Sequence, residues 1–338
     1  MMPSLTSPAK VLVTGSNGFI AAWIVRVLID RGYNVIGTVR SAPKGDYLKK
    51  QFGDKFEFVV AKNLEENAFD EAVKSTNPDA IIHAATPMDV SGDPQSVIGP
   101  AVEGTLGILR SAQQFGHNIK RIVITSSIAS ILESKDVPSY TFTEDDWNSK
   151  SEGIIEREGT NAPGEQKYAT SKTKAEQAAW KFINENKGLH FDLTTILPSV
   201  VFGPIIHEVK DVSALNATIA LFRHCIFNGT LDFFSNNFVD VRDVALAHVL
   251  ALEVPEAGGE RIIISSAPFF YQQSIDALIE ARYKVPPREP REDTSVPHAA
   301  IMDNAKSKKI LGINYRDFKE TSVDTYAELQ RRFPESFP

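Results

Sequence analysis

The chain has 338 residues, 42% hydrophobic and 23% charged, which is the composition of a globular protein with ample material for a core and room for one large or two modest domains. A net charge of −7 offers no basic footprint and argues against nucleic acid or an anionic membrane surface as partner. The single cysteine, Cys225, excludes an internal disulfide and reads as a small buried hydrophobe in no metal-ligand spacing; no apolar run is long enough to span a membrane and residues 1–9 lack signal-peptide character, so a cytoplasmic protein without a metal is expected.

The first predicted element is a buried strand over Lys10–Thr14, short, apolar and β-branched. It runs into Gly15-Ser16-Asn17-Gly18-Phe19-Ile20-Ala21, and residues 22–31 have helical composition up to a stop at Gly32. A strand, a glycine turn and a helix in this order suit a dinucleotide. Glycine lets the backbone approach a pyrophosphate, and the helix N-terminus behind it presents unpaired N–H groups and a positive dipole end. The next strand, Asn34–Val39, ends on Arg40, where an NAD-binding unit usually offers an acid to the ribose 2′-hydroxyl. Arg40, with Lys44 beside it, suits a 2′-phosphate instead, so NADP(H) is the expected cofactor.

Strand and helix patterns then alternate. Strands are predicted over 56–61, 80–85, 121–125 and 191–197, with helices over 104–115 and 169–186; a further helix over 241–252 and a strand over 261–265 return to the same sheet. The expected fold is therefore α/β, a doubly wound parallel-sheet Rossmann fold with a smaller, discontinuous C-terminal substrate lobe. Residues 1–197 plus 236–267 are assigned to the NADP-binding domain and 198–235 plus 268–338 to the lobe. The polar, acidic stretch 133–164 reads as a long loop. In such sheets ligands lie beyond the carboxyl ends of the strands, where Gly15, Arg40, residues 83–86, Ser126, Ser127 and Pro198 fall.

Tyr168 and Lys172 stand four apart in a predicted helix, so both reach one face. A free phenol, with a pKa of about 10, is a poor acid at neutral pH; a nearby ammonium favours the phenolate and brings it toward useful acidity. Ser126 and Ser127 close the preceding strand, where a hydroxyl can donate to a carbonyl. The G-x-S-x-G pattern of hydrolases is absent from this segment, which speaks against an acyl-enzyme.

Taken together, Thr14-Gly15-x-x-Gly18-Phe19-Ile20, His83-Ala84-Ala85, Thr125-Ser126-Ser127, Tyr168-x-x-x-Lys172, Pro198, Gly203-Pro204, the run 238–245 and Ala305-Lys306-Ser307-x-x-Ile310-Leu311-Gly312 resemble the extended branch of the short-chain dehydrogenase/reductase superfamily over nearly the whole chain. Ala85-Thr86-Pro87-Met88-Asp89 and Glu176-Gln177-Ala178-Ala179-Trp180 are similar to its dihydroflavonol reductase, cinnamoyl-CoA reductase and fungal aldehyde/ketone reductase group, whose NADPH phosphate clamp Arg40 and Lys44 also resemble. Leu132 stands where plant dihydroflavonol reductases carry an asparagine, and residues 165–170 differ from the N-W-Y-C-Y-G-K run of cinnamoyl-CoA reductases, so the chain looks closer to the fungal methylglyoxal and carbonyl reductases.

The resemblance implies Ser127, Tyr168 and Lys172 as the catalytic set, with Lys172 also on the nicotinamide ribose and Pro198 and Val200 flanking the nicotinamide. It implies further cofactor contacts at Thr14, Gly15, Asn17, Gly18, Phe19, Ile20, Ala84, Ala85, Thr86 and Thr125, and adenine contacts at Asn63 and Leu64, where the family commonly has Asp-Leu. The expected activity is NADPH-dependent reduction of an aldehyde or ketone to an alcohol, by a monomer or homodimer acting on a small carbonyl compound. Rival readings are an epimerase or dehydratase of nucleotide sugars that retains NAD⁺, and a non-catalytic NADP-sensing protein. Leu132, Thr86, Pro163 and Phe227 are the expected wall of an apolar substrate pocket.

Overall fold

The computed structural model describes residues 4–62, 67–87, 89–228, 237–286 and 298–337. In chain order the elements are β1 (Lys10–Thr14), α1 (Phe19–Asp30), β2 (Asn34–Val39), α2 (Ala42–Phe52), β3 (Phe56–Val60), α3 (Asp70–Thr76), β4 (Ala80–His83), α4 (Gln95–Phe115) and β5 (Arg121–Thr125). There follow β6 (Tyr140–Phe142), α5 (Lys150–Glu158), α6 (Gly164–Glu185), β7 (Asp192–Pro198), β8 (Val200–Phe202), α7 (Ala217–Phe227), β9 (Asn237–Asp240) and α8 (Val241–Glu253). The chain closes with β10 (Arg261–Ile264), β11 (Ala267–Pro268), α9 (Tyr271–Glu280), β12 (Ala300–Met302), α10 (Ala305–Leu311) and α11 (Phe318–Arg332).

Seven strands form one sheet in the order β3-β2-β1-β4-β5-β7-β10, and every pairing in it is parallel. The fold is the expected doubly wound one, because the side-chain period of two sends alternate residues to opposite cores. Val11, Val13, Val35, Ile82 and Val123 enter the core that holds Ile24, Val25 and Leu28 of α1 and Val244 of α8. Leu12, Ile36, Ile81, Ile122 and Ile124 enter the other, with Val73 of α3, Ile108 and Leu109 of α4 and Ala179 of α6. The order reverses between β1 and β4, which opens a crevice at their carboxyl ends. Beyond β7 the chain leaves the large sheet for a small one, β11-β9-β8, and returns to it at β10.

The stretch 133–164 is not one loop. It contains β6, which pairs in parallel with β12, and α5, which packs on α6. Its polarity hid these elements, since only Ser151 and Ile155 of α5 are buried and β6 is three residues long. Three helices also start earlier than their composition suggests: α1 at Phe19, α4 at Gln95 and α6 at Gly164. No helix among the described residues is long and apolar enough to cross a membrane.

One buried cation ties the sheet to α8. Arg121, at the start of β5 and 1% exposed, donates from Nε and Nη2 to the two carboxylate oxygens of Asp192 at 2.6 and 2.9 Å. Its Nη1 donates to the carbonyls of Ala251 and Val254 at 2.7 and 2.6 Å, at the end of α8. The chain passes over this pair at Gly258, where a Cβ would stand 2.2 Å from Asp192 Oδ2. Arg121→Ala removes the buried partner of Asp192 and a donor to the Ala251, Val254 and Pro255 carbonyls, so it is expected to cost about 3–5 kcal/mol, read as a lowered denaturant midpoint.

Candidate active site

The crevice is built first by backbone. After β1 the chain turns at Gly15 with φ +64°, and a Cβ there would lie 3.0 Å from Cα of Ala85 beyond β4. The two strand ends thus approach as closely as a side-chain-free residue permits. The Gly15 N–H donates to Thr38 Oγ1 (3.1 Å) and Ser16 binds the Thr38 carbonyl through both its N–H and hydroxyl, which holds the turn against β2. Gly18 is the N-cap of α1, with no side-chain cap and no acid in the first turn, so the helix end keeps unpaired N–H groups for an anion.

Thr14 joins the two lips. Its hydroxyl oxygen accepts from the N–H groups of Ala84 and Ala85, both at 3.1 Å, so its proton goes to His83 Nδ1 at 2.9 Å. That pattern assigns the Nε2–H tautomer to His83, and burial together with nearby Lys172 pushes the ring down to about 3, so it stays neutral.

Tyr168 and Lys172 sit on the first turns of α6, and the Lys172 ammonium lies 5.9 Å from the Tyr168 ring centroid. The Ser127 hydroxyl lies beside the Tyr168 phenol and favours its ionised form. Ser127 Oγ already accepts from the Ala129 N–H at 3.1 Å, which leaves its own proton as the one to give. Lys172 donates to the Thr125 carbonyl at 3.2 Å. The Thr125 hydroxyl meets His248 Nε2 at 2.8 Å while His248 Nδ1 faces the Val244 carbonyl at 2.7 Å, a carbonyl that only accepts; His248 therefore accepts the Thr125 proton. Burial pushes His248 down to about 4 and keeps it neutral.

The electrostatics differ from the simple expectation at one point. Burial raises the Tyr168 phenol, opposed by the neighbouring Ser127 hydroxyl, so the ammonium alone does not make it acidic. Burial also pushes Lys172 down to about 8, against the pull of Glu176. Desolvation disfavours the charged form of both groups, and it outweighs the help of Ser127 to one and of Glu176 to the other in the protein alone.

The remaining expected residues fall unevenly. Phe19 and Ile20 lie in the first turn of α1, Arg40 is exposed directly after β2, and Lys44 sits in the first turn of α2. Ala84, Ala85 and Thr86 follow β4, and Pro198 ends β7 one residue before Ser199 and Val200. Thr86 lines a small cavity with His83, Thr105, Thr125, Lys172 and Glu176. Leu132 packs on the cluster of Ile128, Ile131 and Phe142, and Pro163 is the exposed residue before α6. The ring contacts of Phe227 run to Phe337 and Tyr326 at 5.5 and 6.5 Å, within and just beyond α11. An aromatic at a helix end was equally suited to core. Asn63 and Leu64 lie outside the described residues. Composition did not point to Thr38 or His248, which reach Gly15 and Thr125 from far away in sequence. Glu176 did carry a signal, standing four residues beyond Lys172 on the same helical row.

A model of the NAD dependent epimerase/dehydratase family matches residues 11–265. The chain belongs to that family. It is 35% identical to the NADPH-dependent methylglyoxal reductase GRE2 of Saccharomyces cerevisiae over 340 residues, covering 95% of this chain and 98% of the relative. It is 36% identical to the ketoreductase azaE of Aspergillus niger over 336 residues, covering 95% and 97%. The crystal structure of yeast methylglyoxal/isovaleraldehyde reductase Gre2 complexed with NADPH superposes with a TM-score of 0.86 at 34% identity, over 96% of this chain and 98% of that one.

Within this family member the crevice depends on one hydroxyl. Thr14→Val removes the partner of two N–H groups and of the His83 ring, and is expected to lower stability by about 1–3 kcal/mol in urea unfolding.

Proposed function

We propose that this protein reduces an aldehyde or ketone to the alcohol with NADPH, holding the substrate oxygen between the hydroxyls of Ser127 and Tyr168. The observation that carries this reading is that the Ser127 hydroxyl and the Lys172 ammonium both lie beside the Tyr168 phenol, at the strand ends that flank the glycine turn. The named activities of the two relatives, a methylglyoxal reductase and a ketoreductase, support it.

The residues present fit the cofactor. The bare Gly15–Ala85 approach and the uncapped end of α1 suit a pyrophosphate, with Thr14, Asn17, Gly18, Phe19 and Ile20 around it. Arg40 and Lys44 suit a 2′-phosphate, and Ala84, Ala85, Thr86, Thr125, Pro198 and Val200 the inner part of the crevice. Residues 1–197 plus 236–267 are assigned to NADP binding, and 198–235 plus 268–338 to the substrate lobe; the return of β10 to the large sheet supports this division.

NADPH, when bound, supplies a hydride from C4 of its nicotinamide. As the hydride reaches carbon, negative charge grows on the carbonyl oxygen, and donors aimed at that oxygen stabilise the transition state more than the ground state. Ser127 gives its free proton as a hydrogen bond, and Tyr168 transfers its proton to the oxygen to complete the alcohol. The phenolate left behind is stabilised by the Lys172 ammonium, which the Thr125 carbonyl holds in place. Leu132 and Pro163 are assigned to the substrate side.

Tyr168→Phe is expected to bind NADPH with near wild-type Kd and to lose on the order of a hundredfold or more in kcat for a panel of aldehydes, diketones and β-keto esters. Near-normal turnover, or a purified protein carrying stoichiometric NAD⁺, would overturn the reading. Arg40→Ala with Lys44→Ala is expected to weaken NADPH binding by about tenfold to a hundredfold and to leave NADH binding almost unchanged, measured by fluorescence titration.

A further inference from the structure

We infer that Glu176 is the positioning residue of this site: one buried carboxylate clamps the Ser127 turn to the helix that carries Tyr168 and Lys172, and supplies the negative charge that keeps Lys172 an ammonium. The inference rests on the reading that Tyr168 delivers the proton.

Tyr168, Lys172 and Glu176 follow one another at intervals of four on α6, so they form a single row. Glu176 is 2% exposed, and both of its oxygens are engaged. Oε2 accepts from the hydroxyls of Ser126 at 2.6 Å and Ser130 at 2.8 Å, which bracket Ser127 in sequence. Oε1 accepts from Thr195 Oγ1 on β7 and Arg261 Nε on β10, both at 2.8 Å, and from Trp180 Nε1 at 3.4 Å. One oxygen therefore grips both ends of the turn that presents Ser127, and the other anchors the helix to two strands. Arg261 is lodged in its own nest, 3.6 Å from the Trp147 ring centroid and donating to the Asp146 carbonyl at 3.0 Å. Burial opposes the charge on Glu176, but Arg261 and the hydroxyl donors outweigh it and hold the carboxyl below the usual range.

A plain structural ion pair would have no reason to face the catalytic ammonium. Glu176 shares a cavity with it one helical turn away: His83, Thr105, Thr125, Ser126, Lys172 and Glu176 are among the residues that line this small space. The titratable groups around Lys172 are the neutral His83 on β4, Tyr168 and Glu176 on α6, and, behind the Thr125 and Glu176 contacts, His248 on α8 and Arg261 on β10. Of these, Glu176 acts on Lys172 in favour of the ammonium, against burial. Removing its charge lets Lys172 lose its proton at lower pH. Carbonyl reduction requires the ammonium, so its alkaline limb must move to lower pH.

The test compares wild type with E176Q, E176D and the double variant E176Q/R261M. It uses the pH profile of kcat, KM, NADPH affinity, thermal unfolding, and competitive acetylation of Lys172 followed by peptide mass spectrometry across pH. E176Q is expected to bind NADPH within about threefold of wild type, to lose roughly tenfold in kcat at neutral pH with KM little changed, and to shift the alkaline limb and the Lys172 labelling curve down by about one pH unit. E176D keeps the charge and should restore the limb even where kcat stays low. E176Q/R261M removes both charges, a replacement that buried pairs tolerate, and should stay shifted; it decides the matter in the same way where E176Q does not fold. A folded E176Q with wild-type profile and labelling overturns the inference, as does recovery in the double variant, which would reduce Glu176 to a counter-ion for Arg261. Failure of the proton-donor reading itself appears separately, as turnover retained by Tyr168→Phe, and leaves the labelling curve as an independent measure of Glu176.

Discussion

A lysine ammonium buried beside a phenol is the constraint to which the rest of the structure answers. Lys172 is 5% exposed, and an isolated charge in such a place is far costlier than a neutral amine. The fold meets this cost with a carbonyl from the end of β5, a carboxylate one turn along the helix, and neutral histidines on the neighbouring elements. His83 lies close enough that a second cation would compete with Lys172, and burial holds both His83 and His248 uncharged. The polarity of the site is thus distributed over β4, β5, α6 and α8, although only one of its charges faces the phenol.

The parallel sheet supplies the other half of the design. Because all seven strands run the same way, their carboxyl ends share one edge, and the reversal of order between β1 and β4 leaves that edge unbridged at one place. Thr14 and Gly15 control the width of the gap, the first by tying both lips with one hydroxyl and the second by having no side chain. The groups that suit a pyrophosphate and the groups that suit a substrate oxygen therefore sit at the same end of the sheet. The buried pair of Arg121 with Asp192 lies at the opposite end of β5, where it joins sheet to helix and leaves the crevice free.

Much of this was legible in the residues. The β-branched runs, the glycine turn and the Tyr168–Lys172 spacing are local signals, each set by backbone geometry within a few residues, and they located the sheet and the helix that matter. Less legible were segments whose periodicity is short or diluted by polar residues. The strand Tyr140–Phe142 pairs with Ala300–Met302, a partner far away in sequence, and α5 buries little more than Ile155 and Ser151, so 133–164 read as loop. Phe227 shows a different ambiguity, since an aromatic at a helix end serves a pocket or a core equally well until its neighbours are known; here they include Phe337 and Tyr326.

By itself the sequence determined the fold class, the strand, glycine turn and helix that suit a dinucleotide, and the placing of Tyr168 and Lys172 on one helical row, because these rest on residue type and spacing along one strand or one helix. The tertiary structure decided what the pair's environment does to it. Burial raises the phenol and lowers the amine, Glu176 gathers Ser126, Ser130, Thr195 and Arg261 from three different elements, and Thr125 is bound to His248 across the core. Desolvation and hydrogen bonding between distant segments are properties of the packed molecule, and no local pattern encodes them.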